Sequence, residues 1–131
     1  MESWVRPTDA KVLIVEDESI VAHDIGMILE GMGVRVTAIA QDAADALRAI
    51  DAEPPDLVLL DLSLSGRFEG IELAREIDSR WHIPVVFISG HLSDVAAREL
   101  GEFHAAGYVA KPFYPINLRE AVASAISALD G

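Results

Sequence analysis

The segment Leu57-Val-Leu-Leu-Asp61-Leu-Ser-Leu-Ser-Gly66 places one carboxylate, that of Asp61, among leucines. Its first four residues are apolar without interruption, as in a strand that is buried on both faces of a parallel sheet. An ionised carboxylate beside such a strand costs free energy unless a cation or hydrogen bonds compensate it. Asp61 is therefore either a turn residue at a strand end or a residue with a chemical role.

Similar segments along the chain predict the fold class. Apolar runs predict strands at residues 11–15, 56–60, 84–89 and 107–110, and a more alternating run predicts an edge strand at 34–39. Helical periodicity predicts helices at about 19–30, 43–50, 70–81, 94–105 and 115–129. Five strand-then-helix units in succession predict an α/β fold, with a parallel sheet covered by helices on both faces.

Length and composition narrow the classes of function. The 131 residues suit one domain, which we expect at 10–130 behind a short arm at 1–9. The 22 acidic residues outnumber the 10 basic ones, and a net charge of −12 predicts no nucleic-acid or membrane partner. The chain has no cysteine, so a metal would bind oxygen or imidazole. The lack of a signal peptide or a long apolar segment predicts a soluble, cytoplasmic protein.

Polar residues follow the predicted strands at the same end. Glu16 and Asp17 follow the first strand, Asp61 the third, Ser89 ends the fourth and Lys111 follows the fifth. Taken singly, each is more often a turn residue, a helix cap or a surface charge. Their joint occurrence is less easily explained in that way, because ligands of parallel sheets bind beyond the carboxyl ends of the strands.

This set of side chains suits phosphoryl chemistry. Three carboxylates close together repel one another, and Mg²⁺ with its preference for oxygen ligands would relieve that repulsion. A carboxylate can also attack phosphorus, which makes Asp61 the candidate nucleophile. The Lys111 ammonium and the Ser89 hydroxyl could then meet the charged phosphoryl oxygens.

With these motifs in place, the sequence closely resembles the receiver domain of two-component response regulators. The resemblance covers about residues 10–130 and rests on a set of short motifs: Glu16-Asp17, Asp61, Ser89, Tyr108 and Lys111-Pro112-Phe113. It implies a flavodoxin-like (βα)5 fold with strand order 2-1-3-4-5. It also implies Mg²⁺-dependent phosphorylation of Asp61 by a histidine kinase or a histidine phosphotransfer protein, and a downstream protein partner that one sequence does not identify. The protein would be a monomer or a weak homodimer.

The resemblance also implies a role for each site residue. Glu16, Asp17, Asp61 and the backbone carbonyl of Ser63 would bind the metal, and Lys111 would contact the phosphoryl group through a segment whose Lys111-Pro112 peptide is commonly cis. Ser89 would move toward the phosphate, and Tyr108 would change its packing as the second part of a switch. The loop at 64–70 departs from the family, because it lacks the usual Met-Pro pair and is one residue longer.

Two other classes of protein use comparable features. A haloacid-dehalogenase-like phosphatase would use Asp61 as nucleophile with Mg²⁺, but it needs a second Asp where Ser63 stands and a metal-binding pair late in the chain. A nucleotide-binding module would need a glycine-rich loop where the acidic residues 16–18 stand. We therefore expect a phosphoacceptor with self-catalysed phosphotransfer and autodephosphorylation, and not an enzyme.

Overall fold

The computed structural model describes residues 10–62, 69–90 and 105–130. The five strands are β1 (Lys11–Val15), β2 (Arg35–Ala40), β3 (Leu57–Asp61), β4 (Val85–Ser89) and β5 (Gly107–Ala110). The helices in the described residues are α1 (Ser19–Gly31), α2 (Ala43–Ala52), α3 (Glu69–Trp81) and α4 (Pro115–Asp130). The arm at 1–9, Ser63 and all but the last residue of the predicted helix at 94–105 lie outside the described residues.

The strands form one parallel sheet in the order β2-β1-β3-β4-β5. This confirms the predicted α/β class, the flavodoxin-like topology and the strand order. All five residues of β3 are buried, as expected for the central strand of a sheet with helices on both faces. The edge strand β2 is more exposed than β1, β3 and β4, also as predicted.

Two hydrophobic cores lie on opposite faces of the sheet, because successive strand residues point to opposite sides. Leu13 and Val58 face the core that is covered by α2 and α3. Val12 and Leu59 face the core that is covered by α1 and α4. Each fully buried Leu or Val contributes about 1.5–3 kcal/mol relative to exposure. The two cores thus hold the sheet, and the segments that leave its ends, in one arrangement.

The helix ends show which local signals the chain uses. The side chain of Asp42 caps α2 by accepting a hydrogen bond from the Asp45 N–H at 2.8 Å. The turn after α1 contains Gly33 with a φ of 86°, a conformation that glycine adopts readily. His82 follows α3 with a φ of 58°, so a histidine takes the position where glycine is usual. No described helix is long and apolar enough to cross a bilayer.

Candidate functional site

The carboxyl ends of the strands bring together four of the polar residues that the sequence singled out: Glu16, Asp17, Asp61 and Lys111. Backbone hydrogen bonds hold these ends together: the Glu16 N–H donates to Ala40, the Leu62 N–H to Ile88, and the Lys111 N–H to Ser89, at 2.8–2.9 Å. Each of these bonds lies at or just beyond the end of a strand pair. The backbone that carries Glu16, Asp61 and Lys111 is therefore continuous with the sheet rather than part of a free loop.

Three carboxylates form a cluster at this edge. Ligand oxygens of Glu16, Asp17 and Asp61 lie within 4.8 Å of one another. Glu16 and Asp61 are each 1% exposed and are the buried charged residues in the part of the chain that the structure describes, whereas Asp17 is exposed. Two acidic groups out of water and a third at the surface make a cluster that is open on one side.

Lys111 supplies positive charge to the cluster. Its Nζ donates a hydrogen bond to Asp61 Oδ2 at 2.9 Å and lies 3.7 Å from Glu16 Oε1. Burial lowers the pKa of the Lys111 ammonium, but the hydrogen bond and the charge of Asp61, followed by the charges of Glu16 and Glu18, outweigh it and raise the pKa above its ordinary value. Lys111 is thus a fixed cation beside Asp61 at neutral pH.

The Glu16 carboxyl group is only partly satisfied. Its Oε2 accepts a hydrogen bond from the Glu18 N–H at 3.1 Å, while Oε1 is buried and accepts no hydrogen bond from any described residue. Burial, and then the neighbouring Asp61 carboxyl, raise the pKa of Glu16 from 4.5 to about 7. A buried oxygen without a donor, in a set of oxygen ligands, suits a hard divalent cation. The residues present therefore fit Mg²⁺.

Ser89 and Tyr108 lie near each other on the next two strands. Ser89 ends β4 and is partly exposed, and Tyr108 is 50% exposed on β5. The Tyr108 ring stacks on Phe87, with ring centroids 5.9 Å apart. Ser89, Gly90 and Tyr108 line a cavity of about 250 Å³ together with Phe87 and two further β5 residues. The structure thus places both proposed switch residues on one cavity.

Two further features concern the segments that leave β3 and β5. The Lys111–Pro112 peptide is cis, as the family resemblance implied. Gly70, which the sequence reasoning did not assign to the site, packs against the backbone of Asp61 and Leu62. The sequence signal for this contact was a glycine at the start of a predicted helix, which more often marks a loop than a close approach.

The chain is similar to known proteins over most of its length. The description of the matching family is "Response regulator receiver domain", and the match covers residues 12–123. A curated relative is the phyllosphere-induced regulator PhyR of Methylorubrum extorquens, which is 29% identical over 117 residues. That alignment covers 88% of this chain and 43% of PhyR, so the chain spans less than half the length of this relative.

Solved structures give the same result. The response regulator PhyR from Brucella abortus superposes with a TM-score of 0.83 at 30% identity, covering 97% of this chain and 51% of that protein. A CheY-like response regulator receiver domain protein from Methanospirillum hungatei superposes with a TM-score of 0.82 at 26% identity. The second comparison covers 92% of this chain and 96% of that one, so nearly all of each chain shares this fold.

Proposed function

This chain belongs to the response regulator receiver domain family of two-component signalling, and from that premise we propose that it accepts a phosphoryl group on Asp61. The donor would be the phosphohistidine of a histidine kinase or of a histidine phosphotransfer protein, and the reaction would depend on Mg²⁺. The observation that carries the proposal is the Asp61 carboxylate, which is buried within an acidic cluster and hydrogen-bonded to the Lys111 ammonium at 2.9 Å.

The transfer itself requires only one bond to form and one to break. A carboxylate oxygen of Asp61 attacks phosphorus, the phosphorus–nitrogen bond of the donor breaks, and its electron pair returns to the imidazole, which takes up a proton. The product is an acyl phosphate on Asp61. Because the transferred group carries its negative charge on three oxygens, the chain must supply fixed positive charge and hydrogen-bond donors around it.

The residues of this chain divide that task. Lys111 is held beside Asp61 and neutralises charge on the carboxylate before transfer and on the phosphoryl group after it. The Ser89 hydroxyl, at the end of the neighbouring strand, is the proposed donor to a phosphoryl oxygen. Glu16, Asp17 and Asp61, with the carbonyl of Ser63, would hold Mg²⁺. When bound, the ion supplies positive charge that offsets the carboxylates and the phosphoryl oxygens.

The signal would leave through a change of surface. Phosphorylation adds acceptor oxygens near Ser89, and movement of that side chain would change the cavity that it shares with Tyr108. Tyr108 would then exchange its half-exposed position for an inward one, which alters the surface of β5 that a downstream protein contacts. The chain would act as a monomer or a weak homodimer, without turnover of a substrate beyond its own phosphorylation and dephosphorylation.

The phosphoacceptor is tested by incubating the protein with acetyl phosphate and Mg²⁺ and measuring its intact mass. We expect an increase of one phosphoryl group that hydroxylamine removes, since hydroxylamine cleaves acyl phosphates. Asp61→Asn should abolish the adduct. The control Asp51→Asn changes an exposed aspartate on α2 and should leave it intact.

Two results would contradict the proposal. An unchanged adduct in Asp61→Asn would move the phosphoacceptor to another residue. Release of phosphate from a generic phosphate ester over many cycles per protein, lost in Asp61→Asn, would instead identify a phosphatase.

A further inference from the structure

The first turn of α3 packs directly on the backbone that carries the proposed phosphoacceptor. A Cβ atom at Gly70 would lie 3.1 Å from Leu62 Cα, and 3.2 Å from the carbonyl oxygens of Asp61 and Leu62. These distances are shorter than ordinary van der Waals contact, and every atom concerned is backbone. A side chain at residue 70 would therefore fit only if this backbone moved by a few tenths of an ångström.

Neither side of this contact can yield easily. On the strand side, Asp61 pairs with Ile88 on β4, and the Leu62 N–H donates to the Ile88 carbonyl at 2.8 Å. On the helix side, α3 is anchored in the core by apolar residues with at most 2% exposure: Ile71, Leu73, Ala74 and Ile77. A methyl group at residue 70 would therefore displace either the end of β3 or the start of α3 by a few tenths of an ångström.

From this geometry we propose that Gly70 is a positioning residue for phosphoryl transfer: its missing side chain lets α3 fix the backbone of Asp61 and Leu62, and so the place of the Asp61 carboxylate. The inference rests on the proposed function of Asp61. The carboxylate and the carbonyl that faces Gly70 belong to the same residue, Asp61, so a shift of this backbone also shifts the carboxylate. The carboxylate oxygen must keep its 2.9 Å distance to Lys111 Nζ. A displaced carboxylate would meet phosphorus and the ammonium less well.

The chain offers matched controls. At Gly26, in the middle of α1, an added Cβ would meet only the flexible end of Ile14 at 3.9 Å, which is an ordinary contact. Gly26→Ala is thus the same substitution without the close approach. Ser79→Gly weakens α3 at an exposed position, because glycine disfavours a helix, and it leaves the buried anchor and the contact with β3 unchanged.

The test measures the rate of phosphorylation by acetyl phosphate as a function of donor and Mg²⁺ concentration, at a temperature where each variant is folded by circular dichroism. We expect Gly70→Ala to lower the maximal rate at saturating Mg²⁺ by about tenfold. Gly26→Ala and Ser79→Gly should keep the wild-type rate, although Ser79→Gly lowers the melting temperature. Should Gly70→Ala not fold alone, the double variant Gly26→Ala/Gly70→Ala is compared with Gly26→Ala, because alanine favours the helix.

The outcomes separate the two proposals. A wild-type rate in Gly70→Ala with a reduced melting temperature would overturn the positioning role and leave Gly70 as a packing residue. An equal loss of rate in Ser79→Gly would also overturn it, since instability of α3 alone would then explain the effect. If the wild type itself takes no phosphate on Asp61, the proposed function fails and the positioning role fails with it.

Discussion

Glu16 is a carboxyl group held out of water beside a second carboxyl group, that of Asp61. Burial and this neighbour favour its protonated form, while the Glu18 N–H and Lys111 favour the charged one. The first pair of effects prevails, and the pKa of Glu16 rises to about 7. Without a bound cation, the folded protein therefore bears a cost for ionising this residue at neutral pH.

The cost predicts a pH dependence of stability. Between pH 4.5 and about 7 the folded state binds more protons at Glu16 than the unfolded state, so the free energy of unfolding falls as the pH rises through this window. In EDTA, Glu16→Gln should remove this loss. The free energy of unfolding of the variant minus that of the wild type should therefore be larger at pH 8 than at pH 5, by on the order of 1–3 kcal/mol. Urea unfolding at the two pH values measures the difference.

The control for this prediction is Glu72→Gln, an exposed residue on α3, which should change the free energy of unfolding equally at both pH values. Parallel pH profiles for wild type and Glu16→Gln would show that Glu16 ionises freely in the folded protein.

The sequence predicted that the acidic residues after β1 and β3 meet Lys111, but not how exposed each of them is. Glu16 and Asp17 are adjacent and equally acidic, yet Glu16 is buried and Asp17 is exposed. The Glu16 N–H donates to Ala40 and the Glu16 side chain accepts a hydrogen bond from the Glu18 N–H, so Glu16 is held against the sheet. The first of these contacts joins two strands that are distant in the sequence, and the second depends on the turn after β1. No local pattern of residues predicts either contact.

Helix α2 begins at a side-chain cap, which accounts for the position of its first residue. Asp42 precedes the first helical residue in an extended conformation, and its Oδ1 accepts the Asp45 N–H, which has no partner within the helix. A helix of ten residues is short, so its stability depends on such a cap as well as on the buried residues Ala46 and Ile50.

Replacing the cap should therefore lower stability. We expect Asp42→Ala to reduce the free energy of unfolding by about 1 kcal/mol. Asp42→Ser should retain most of the wild-type stability, because a hydroxyl can accept the same hydrogen bond. Thermal or urea unfolding followed by circular dichroism measures both. Equal losses for the two variants would mean that the cap bond contributes nothing to the stability of α2.

Element positions were largely predictable, and the errors have physical causes. Four of the five predicted helices and all five strands are found in the described residues, because buried runs and helical faces extend over many residues. The ends shift by one or two residues: α2 reaches Ala52 instead of residue 50, since its last turn is exposed and apolar spacing does not mark it. The left-handed turn at His82 was not predicted, because that conformation is unusual for histidine.

Across the whole molecule, the excess of acidic groups and the carboxylate cluster at the sheet edge both destabilise the fold by electrostatic repulsion. The formal charge is −12, and three carboxylates converge at one place, so the metal-free fold is under electrostatic repulsion. Salt screens the general repulsion, while a bound divalent cation relieves the local one. A comparison of NaCl with Mg²⁺ therefore separates general screening from binding at the cluster.

We expect Mg²⁺ to stabilise the wild type by about 2.7 kcal/mol at a concentration one hundred times its Kd. Asp17→Asn should lose most of this gain at the same Mg²⁺ concentration, whereas NaCl at matched ionic strength should raise the stability of both proteins alike. Melting curves in each salt provide the measurement. If Mg²⁺ and matched NaCl have the same effect on the wild type, the carboxylate cluster does not bind the ion.

The site draws its groups from segments far apart in the chain, as the sequence separation of 50 positions from Asp61 to Lys111 illustrates. The acidic groups come with β1 and β3, but the ammonium arrives only when β5 has paired with β4 and its last residue is in register with Ser89. Chemical competence consequently requires that β5 has paired with β4. A partly folded chain would hold acids without their counter-charge, and phosphorylation would then report that the last strand is in place.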